Sequence, residues 1–419
     1  MKSETRFPYE LQGYRTPLYI FDTDILAQQI KKIRDVLGNG IRLCYAMKAN
    51  PFVIKDLEAL VDSFEVCSPG EFSICQRAGI SMNKVVLSGV HKASEDIEYA
   101  LERYGNELIY TVESLSHWQL LKAGAQKRSL RVRALLRLTS GNQFGMEESL
   151  IRQLIADKDN EWISIEGIQY YSGTQKKSHS KLEKELALLD RFCRELKAQW
   201  NFTVKNIEYG PGLPVCYFEG EKDEADSMLE FLADCIKRLE FKGGITLEMG
   251  RFMAAPCGFY VTTVVDTKIN NGVSYCIVDG GIHQLNYYGQ MLAMKKPLML
   301  HLGNHQPGSF LPPAPYPEKQ KKKPEEWTVC GSLCTISDVL IKQYPLKNLQ
   351  LGDQLVFQKT GAYSATEGIS LFLSRDLPQI LLYSSKEGLR TVRPGVPTNI
   401  FNSPHTDTLS LNDFLSQRR

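Results

Sequence analysis

The chain has 419 residues, 43% of them hydrophobic, and a formal net charge of +2. That is more than one average domain and ample material for a buried core, while the near-neutral charge gives no reason to expect a nucleic-acid partner. No run approaches the roughly 18 apolar residues of a membrane-spanning helix, the opening MKSETRFPYELQGY lacks the apolar run of a secretory signal, and ten scattered cysteines read as mostly reduced core residues of a cytoplasmic protein.

In chain order, TPLYIFD (16–22) is strand-like and DILAQQIKKIRDVL after it is helical. From residue 41 short apolar or β-branched runs recur: IRLCYAMKA (41–49), SFEVCS (63–68), KVVLSG (84–89), LIYTVES (108–114), VRALLRLT (132–139), SIEGIQYYSG (164–173), VKNIEYG (204–210) and ITLEMG (245–250). Between most of them lie segments such as SEDIEYALERYG and KLEKELALLDRFCRELKAQW, in which apolar residues return at three and four. Eight strands alternating with about seven helices exceed an ordinary open doubly wound sheet and predict closure into a (β/α)8 barrel. After about residue 255 the long helices stop. GFYVTTVVDTKI, VSYCIVDG, WTVCGSLC and DQLVFQKTGA predict a second, β-rich domain.

The expected division is therefore an N-terminal segment (1–36) lending a strand to the β domain, a barrel (37–254), a β-rich domain (255–395) and a C-terminal tail (396–419). Residues 303–327, rich in Pro and Lys, read as a long exposed loop, and its KQKKKP run as solvated rather than as a partner patch. No metal site is expected. Cys330 and Cys334 form a lone CxxxC, and His301 and His305 fall in HLGNHQPG, where Gly and Pro disfavour a helix.

In a (β/α)8 barrel, chemistry gathers at the C-terminal ends of the strands. Lys48, Ser172–Thr174, Gly210–Gly212 and Glu248–Arg251 all fall there. The glycines of EYGPGLP let backbone amides approach a phosphate, and Arg251 is a good phosphate partner. A rim salt bridge is the competing reading of Glu248 and Arg251. A lysine, a carboxylate and a phosphate cradle on one rim are what pyridoxal phosphate requires: covalent attachment, a partner for the pyridine nitrogen, and donors for the phosphate.

The ordered motifs resemble those of the fold-type III pyridoxal-phosphate decarboxylases, the group of diaminopimelate, ornithine and arginine decarboxylases. YAMKANP (45–51) is similar to the cofactor-lysine motif, FEVCSPGE (64–71) to the second-strand motif, and GPG (210–212) to the glycine triplet. EMGR (248–251) resembles Glu-x-Gly-Arg, GSLCTISD (331–338) the Gly-Pro-x-Cys-x-x-x-Asp motif, and GAY (361–363) Gly-Ala-Tyr. The match runs over roughly residues 16–395. The resemblance implies the two-domain architecture shared with alanine racemase and a homodimer with shared active sites. In it, Lys48 carries the cofactor and Glu248 faces the pyridine nitrogen. Gly210, Gly212, Gly250, Arg251 and Tyr363 lie around the phosphate, with Thr174 where a serine is usual. Cys334, arriving from a second subunit, protonates the carbanion, and Asp338 sits near the substrate. Arg137 resembles an arginine beside the cofactor, although an ion pair inside the barrel also explains it, and a buried apolar cysteine is the alternative for Cys334.

Three departures bear on the substrate. Where the family has His-x-His-x-Gly-Ser this chain reads QYYSGTQ (169–175), so Gln169 and Tyr171 replace the histidines and Tyr171 is left to stack on the ring. Gly-Gly-Gly has become Gly210-Pro211-Gly212, one amide fewer. The arginine that follows the Asp-Gly strand in diaminopimelate decarboxylases is missing from VDGGIHQLNYYG (278–289). The Tyr-x-Gly-Thr-Gln run and QFGM (143–146) are similar to a subgroup acting on carrier-protein-linked glutamate in butirosin biosynthesis. The implied activity is loss of the α-carboxylate from an amino acid, free, conjugated or carrier-linked. A racemase or epimerase of the same fold is the first alternative, disfavoured because alanine racemases place an arginine where Glu248 stands. A non-catalytic pyridoxal-phosphate-binding protein is the second.

Overall fold

The computed structural model describes residues 7–157, 159–303 and 326–403. Its chain divides into two compact units, which among the described residues are 25–216 with 222–255, and 7–24 with 217–221 and 256–403. A first strand, β1 (Leu18–Asp22), belongs to the second of these.

The first unit is a closed barrel of eight parallel strands: β2 (Ile41–Ala46), β3 (Ser63–Val66), β4 (Val85–Leu87), β5 (Ile109–Val112), β6 (Val132–Leu138), β7 (Ile163–Tyr171), β8 (Asn206–Gly210) and β9 (Gly244–Met249). Six lie within the apolar runs read from the sequence, and β7 and β9 each begin one residue before theirs. Closure is made by β9 pairing with β2, from Ile41↔Ile245 to Tyr45↔Met249. The connecting helices bury one apolar stripe each. In the helix His179–Trp200 that stripe includes Leu182, Leu186, Leu189, Phe192, Cys193 and Leu196, and each fully buried leucine contributes on the order of 1.5–3 kcal/mol. Ser178 caps its first turn by accepting from the Lys181 N–H, and Asn201 ends it in the left-handed region at φ 50°.

Barrel closure places one demand that no helix or strand propensity reveals. Gly167 of β7 passes so close to β8 that a Cβ there would stand 1.9 Å from the Asn206 carbonyl oxygen. Gly167→Ala is expected to destabilise the protein by about 1–3 kcal/mol or more, because backbone has to move to make room. Urea unfolding of the variant at neutral pH measures this; an unchanged midpoint would mean that the barrel yields without cost at this contact.

The second unit is a mixed sheet, formed among the described residues by β1, β10 (Gly258–Asn270), β11 (Val273–Val278), β12 (Met299–Leu302), β13 (Glu326–Cys330), β14 (Val339–Pro345), β15 (Gln354–Gln358), β16 (Gln379–Ser384) and β17 (Gly388–Arg393). Seven strands run in the order β14-β13-β11-β10-β1-β16-β17, while β15 pairs with both β10 and β12. β1 lies antiparallel to β10 and parallel to β16, with Tyr19, Tyr260 and Phe357 buried in its core. One expectation needs correcting here. The 303–327 segment is shorter than expected at its end, since Glu326 and Trp327 already belong to β13; residues 304–325, with His305 and the KQKKKP run, lie outside the described residues, as does the tail from 404. His301, which has no acidic neighbour in sequence, has one in space: it bonds Asp353 at 2.8 Å.

None of the ten cysteines is in a disulfide, and six of them are buried. Among the described residues no helix is long and apolar enough to cross a membrane.

Candidate active site

The YAMKANP stretch is a strand that stops one residue before its lysine. β2 ends at Ala46, and Met47–Ala49 form a single 3₁₀ turn that lifts Lys48 onto the C-terminal rim. Asn50 fixes the turn. Its side chain accepts from the Phe52 N–H at 3.0 Å, its carbonyl receives the Tyr45 hydroxyl at 3.2 Å, and Pro51 starts the next turn with no N–H to satisfy. Gly250 at the end of the neighbouring β9 explains the alanines: a Cβ on it would meet Ala49 Cβ at 2.7 Å and the Ala46 carbonyl at 3.0 Å.

Lys48 Nζ donates to Glu65 Oε2 at 2.8 Å, with its side chain 42% exposed and that of Glu65 only 2%. Cys67 Sγ lies 3.6 Å from the same amine. Glu65 is held by the FEVCSPGE stretch, whose end is a capped helix start: Ser68 Oγ accepts from the Glu71 N–H at 3.1 Å, and Glu71 Oε2 accepts from the N–H of Cys67, the residue before the cap, at 2.6 Å. The sequence reading singled out this motif without assigning Glu65 a place in the site.

Two further acids share the barrel interior. Gln169 Nε2 donates to Glu208 at 2.8 Å and to Glu248 at 3.3 Å, and both carboxylates are buried. Burial raises the Glu248 carboxyl well above its ordinary value, reinforced by the Glu65 charge, with Lys48 opposing. Burial works to raise Glu65 too, but Lys48 and a hydrogen bond from Glu248 hold it at about 2. The two carboxyls are thus pushed in opposite directions, Glu65 down and Glu248 up. Glu208 is pushed up to about 7, chiefly by burial. An acid raised on folding stabilises the fold below its ordinary value near 4.5 and loses that contribution as pH rises through 7. The cofactor-free protein should therefore lose roughly 3 kcal/mol over this window from Glu208. Glu208→Gln should flatten that slope in urea unfolding, and an unaltered slope would place the titration elsewhere. Glu65 acts in a separate, acid window, from 4.5 down to about 2.

The other expected residues fall on neighbouring strands. Thr174 follows β7, Gly210 ends β8, Gly212 lies two residues on at φ 60°, and Gly250–Arg251 follow β9. Since β7, β8, β9 and β2 are consecutive around the barrel, these groups and Lys48 occupy one arc of the rim. Arg251 Nε donates to Thr174 Oγ1 at 3.3 Å. Tyr171 packs on Gly210, whose Cβ would stand 2.5 Å from its ring. Arg137 forms the barrel-interior ion pair, 3.2 Å from Glu113, and lies over the Phe144 ring of the QFGM stretch.

In the second unit, Cys334 is exposed, so the buried-cysteine reading fails. Asp338, expected near the substrate, is tied to the backbone. Its two oxygens accept the Ile282 and Leu333 N–H groups at 2.9 and 2.7 Å, and it is 2% exposed. Gly281 and Gly331 are glycines because any Cβ would come within 2.7 Å of that carboxylate. Arg375, which the sequence reading did not single out, donates to the Ser332 carbonyl at 2.7 Å. Tyr363 sits at φ 67° after β15, and the preceding Gly361 leaves no room for a Cβ on Gly258.

The donor set on the barrel rim matches pyridoxal phosphate. Thr174, Arg251 and a glycine-rich backbone suit a phosphate, Lys48 suits an aldehyde, and the buried Glu248 carboxyl suits a pyridine nitrogen. Residues 23–255, more than half the chain, match the model of the pyridoxal-dependent decarboxylase, pyridoxal binding domain. The chain is 27% identical to 2-[(L-alanin-3-ylcarbamoyl)methyl]-2-hydroxybutanedioate decarboxylase of Staphylococcus aureus, over 88% of this chain and 94% of that one. It is 24% identical to L-glutamyl-[BtrI acyl-carrier protein] decarboxylase of Niallia circulans, over 87% and 88%. The crystal structure of diaminopimelate decarboxylase from Helicobacter pylori, complexed with L-lysine, superposes with a TM-score of 0.76 at 22% identity, over 93% and 96% of the two chains, and shares this barrel-plus-sheet fold. The chain belongs to the pyridoxal-dependent decarboxylase family and is a pyridoxal-phosphate-dependent amino-acid decarboxylase.

Proposed function

We propose that the substrate is an amino acid carrying a bulky or carrier-linked side chain, and that its α-carboxylate is removed by Lys48, Glu248 and Cys334. The observation that carries the reading is the acid–base cluster on the rim: Lys48 on Glu65, with the Glu248 carboxyl buried beside it and raised well above its ordinary value by that burial. Bound pyridoxal phosphate supplies the electron sink that accepts the pair left when carbon dioxide departs. Lys48 would hold the cofactor covalently, its amine being the group suited to an aldehyde. Glu248 would face the pyridine nitrogen and hold a proton there. That carboxylate supports decarboxylation over racemisation, since it sustains a strong sink. Thr174, Gly210, Gly212, Gly250 and Arg251 would bind the phosphate, and Tyr171 would stack on the ring. Asp338 fixes the loop that bears Cys334, a role supported by its two backbone hydrogen bonds, and does not touch substrate.

The enzyme works as a homodimer in which Cys334 of a second copy protonates the product carbon. Supporting this, Cys334 is exposed, Ile336 stands fully exposed two residues away, and an open groove of about 650 Å³ lined by Val273, Tyr275, Ile277 and Leu333 adjoins it. Mixing inactive Lys48→Ala chains with inactive Cys334→Ala chains is expected to restore activity, because half of the sites in each mixed dimer keep both residues. Heterodimers that form without any recovery would mean that each chain completes its own site. Carbon dioxide release from a panel of free, conjugated and carrier-linked amino acids tests the substrate class. Turnover of none of them, with cofactor bound, would remove the reading.

A further inference from the structure

Beneath the rim lies a charged pair that none of the steps above uses. Lys176, in the loop after β7, has a side chain only 2% exposed, and its Nζ donates to Glu185 Oε2 of the helix His179–Trp200 at 2.7 Å. The same carboxylate accepts the Tyr209 hydroxyl from β8 at 2.6 Å and the Ser172 hydroxyl from the end of β7. Lys176 continues the ties. Its backbone N–H donates to the Gly212 carbonyl at 2.9 Å, its Nζ reaches the Gly210 carbonyl at 3.5 Å, and its ammonium lies 5.5 Å from the centre of the Tyr209 ring. The adjacent Gln175 closes the far side, donating to the Val215 carbonyl at 3.0 Å and accepting the Val215 N–H at 2.7 Å.

Burying a lysine and a glutamate is costly, and such a pair adds little net stability over apolar packing. Its effect here is geometric. One carboxylate gathers groups from β7, from the loop after it and from β8, and these segments carry Thr174, Gly210 and Gly212. At Gly212 the two segments are already in contact, since a Cβ there would meet the Gly173 carbonyl at 2.0 Å. A backbone cradle for an anion works only if its donors are held before the anion arrives.

We propose that Lys176 and Glu185 are positioning residues for the phosphate cradle, locking the Ser172–Lys176 loop against the Gly210–Gly212 turn without touching the cofactor. This rests on the reading that the phosphate sits in that cradle. The expected signature is selective loss of the part of cofactor affinity that the phosphate supplies.

The experiment compares binding of pyridoxal phosphate and of pyridoxal, which lacks the phosphate, to the cofactor-free enzyme by absorbance titration. In Lys176→Met the Kd for pyridoxal phosphate should rise roughly 10- to 100-fold, the size typical of lost outer-shell support, while that for pyridoxal stays within about threefold. Tyr209→Phe removes one tie and leaves no buried charge unpaired, so it should show a smaller change in the same direction even if Lys176→Met fails to fold. Parallel weakening of both ligands, or no change in either variant that folds, overturns the proposal. Arg251→Gln separates the two ideas. If it spares the phosphate-dependent affinity, the cradle itself is misassigned. If it lowers that affinity and the Lys176 and Tyr209 variants do not, only the positioning role falls.

Discussion

Replacing Lys48 by alanine is expected to abolish the covalent attachment of the cofactor and to lower kcat/KM by at least roughly 10³-fold, since no other group can deliver the cofactor to the substrate amine. The wild-type protein should be yellow and lose that colour on borohydride treatment, with the cofactor recovered on the peptide containing Lys48. The ion pair with Glu65 complicates a simple deletion, because an alanine also leaves a carboxylate that is 2% exposed without its cation. Lys48→Arg resolves this. It retains the positive charge beside Glu65 but cannot form the reducible link, so it should be as inactive as the alanine variant while keeping more stability. A borohydride-fixed cofactor in Lys48→Ala would show that another lysine carries the attachment. Restored activity in Lys48→Arg would reduce Lys48 to an electrostatic partner of Glu65.

Free meso-diaminopimelate should be a poor substrate compared with a conjugated or carrier-linked amino acid. The segment VDGGIHQLNYYG presents no guanidinium for a distal carboxylate. In the structure its Gln284 is spent, receiving the Tyr260 hydroxyl at 2.8 Å and donating to the Asp376 carbonyl at 2.8 Å. His283 is buried and lowered to about 4 by that burial, so it offers no cation at neutral pH. Losing a bidentate guanidinium–carboxylate pair in a desolvated pocket costs on the order of 2–5 kcal/mol, or roughly 30- to several-thousand-fold in specificity. A tethered substrate escapes this cost by drawing binding from outside the pocket. The measurement is kcat/KM for diaminopimelate, lysine, ornithine and carrier-linked glutamate under one set of conditions. Turnover of free diaminopimelate near about 10⁴ M⁻¹s⁻¹ would refute the expectation. It would point to Arg375, which reaches the loop bearing Cys334 from a distant part of the sequence, as the missing anchor.

The strand–helix alternation from residue 41 to 250 determined the barrel, because each strand buried on both faces must be apolar and each covering helix must carry one stripe. The positions of Lys48, Thr174, Gly212, Glu248 and Arg251 at strand ends were legible for the same reason. What one-dimensional spacing could not give is which strand ends become neighbours and which polar side chains turn inward. Only barrel closure, with β9 on β2, sets Lys48 and Glu248 on adjacent strands, and only alternation in the closed barrel turns Glu65, Glu208 and Gln169 into one buried cluster. A signal for the two glutamates was present: a charged residue inside an otherwise apolar parallel strand, in SFEV and NIEYG, has no comfortable place except a functional interior. No comparable signal marked Lys176 or Glu185, which read as ordinary charges on a loop and a helix. Their burial depends on how the long helix lies against β7 and β8, and one of the two N–H groups that make Asp338 a loop anchor, that of Ile282, comes from more than fifty residues away in the chain. Such contacts follow from packing, which closes distances that the sequence leaves open.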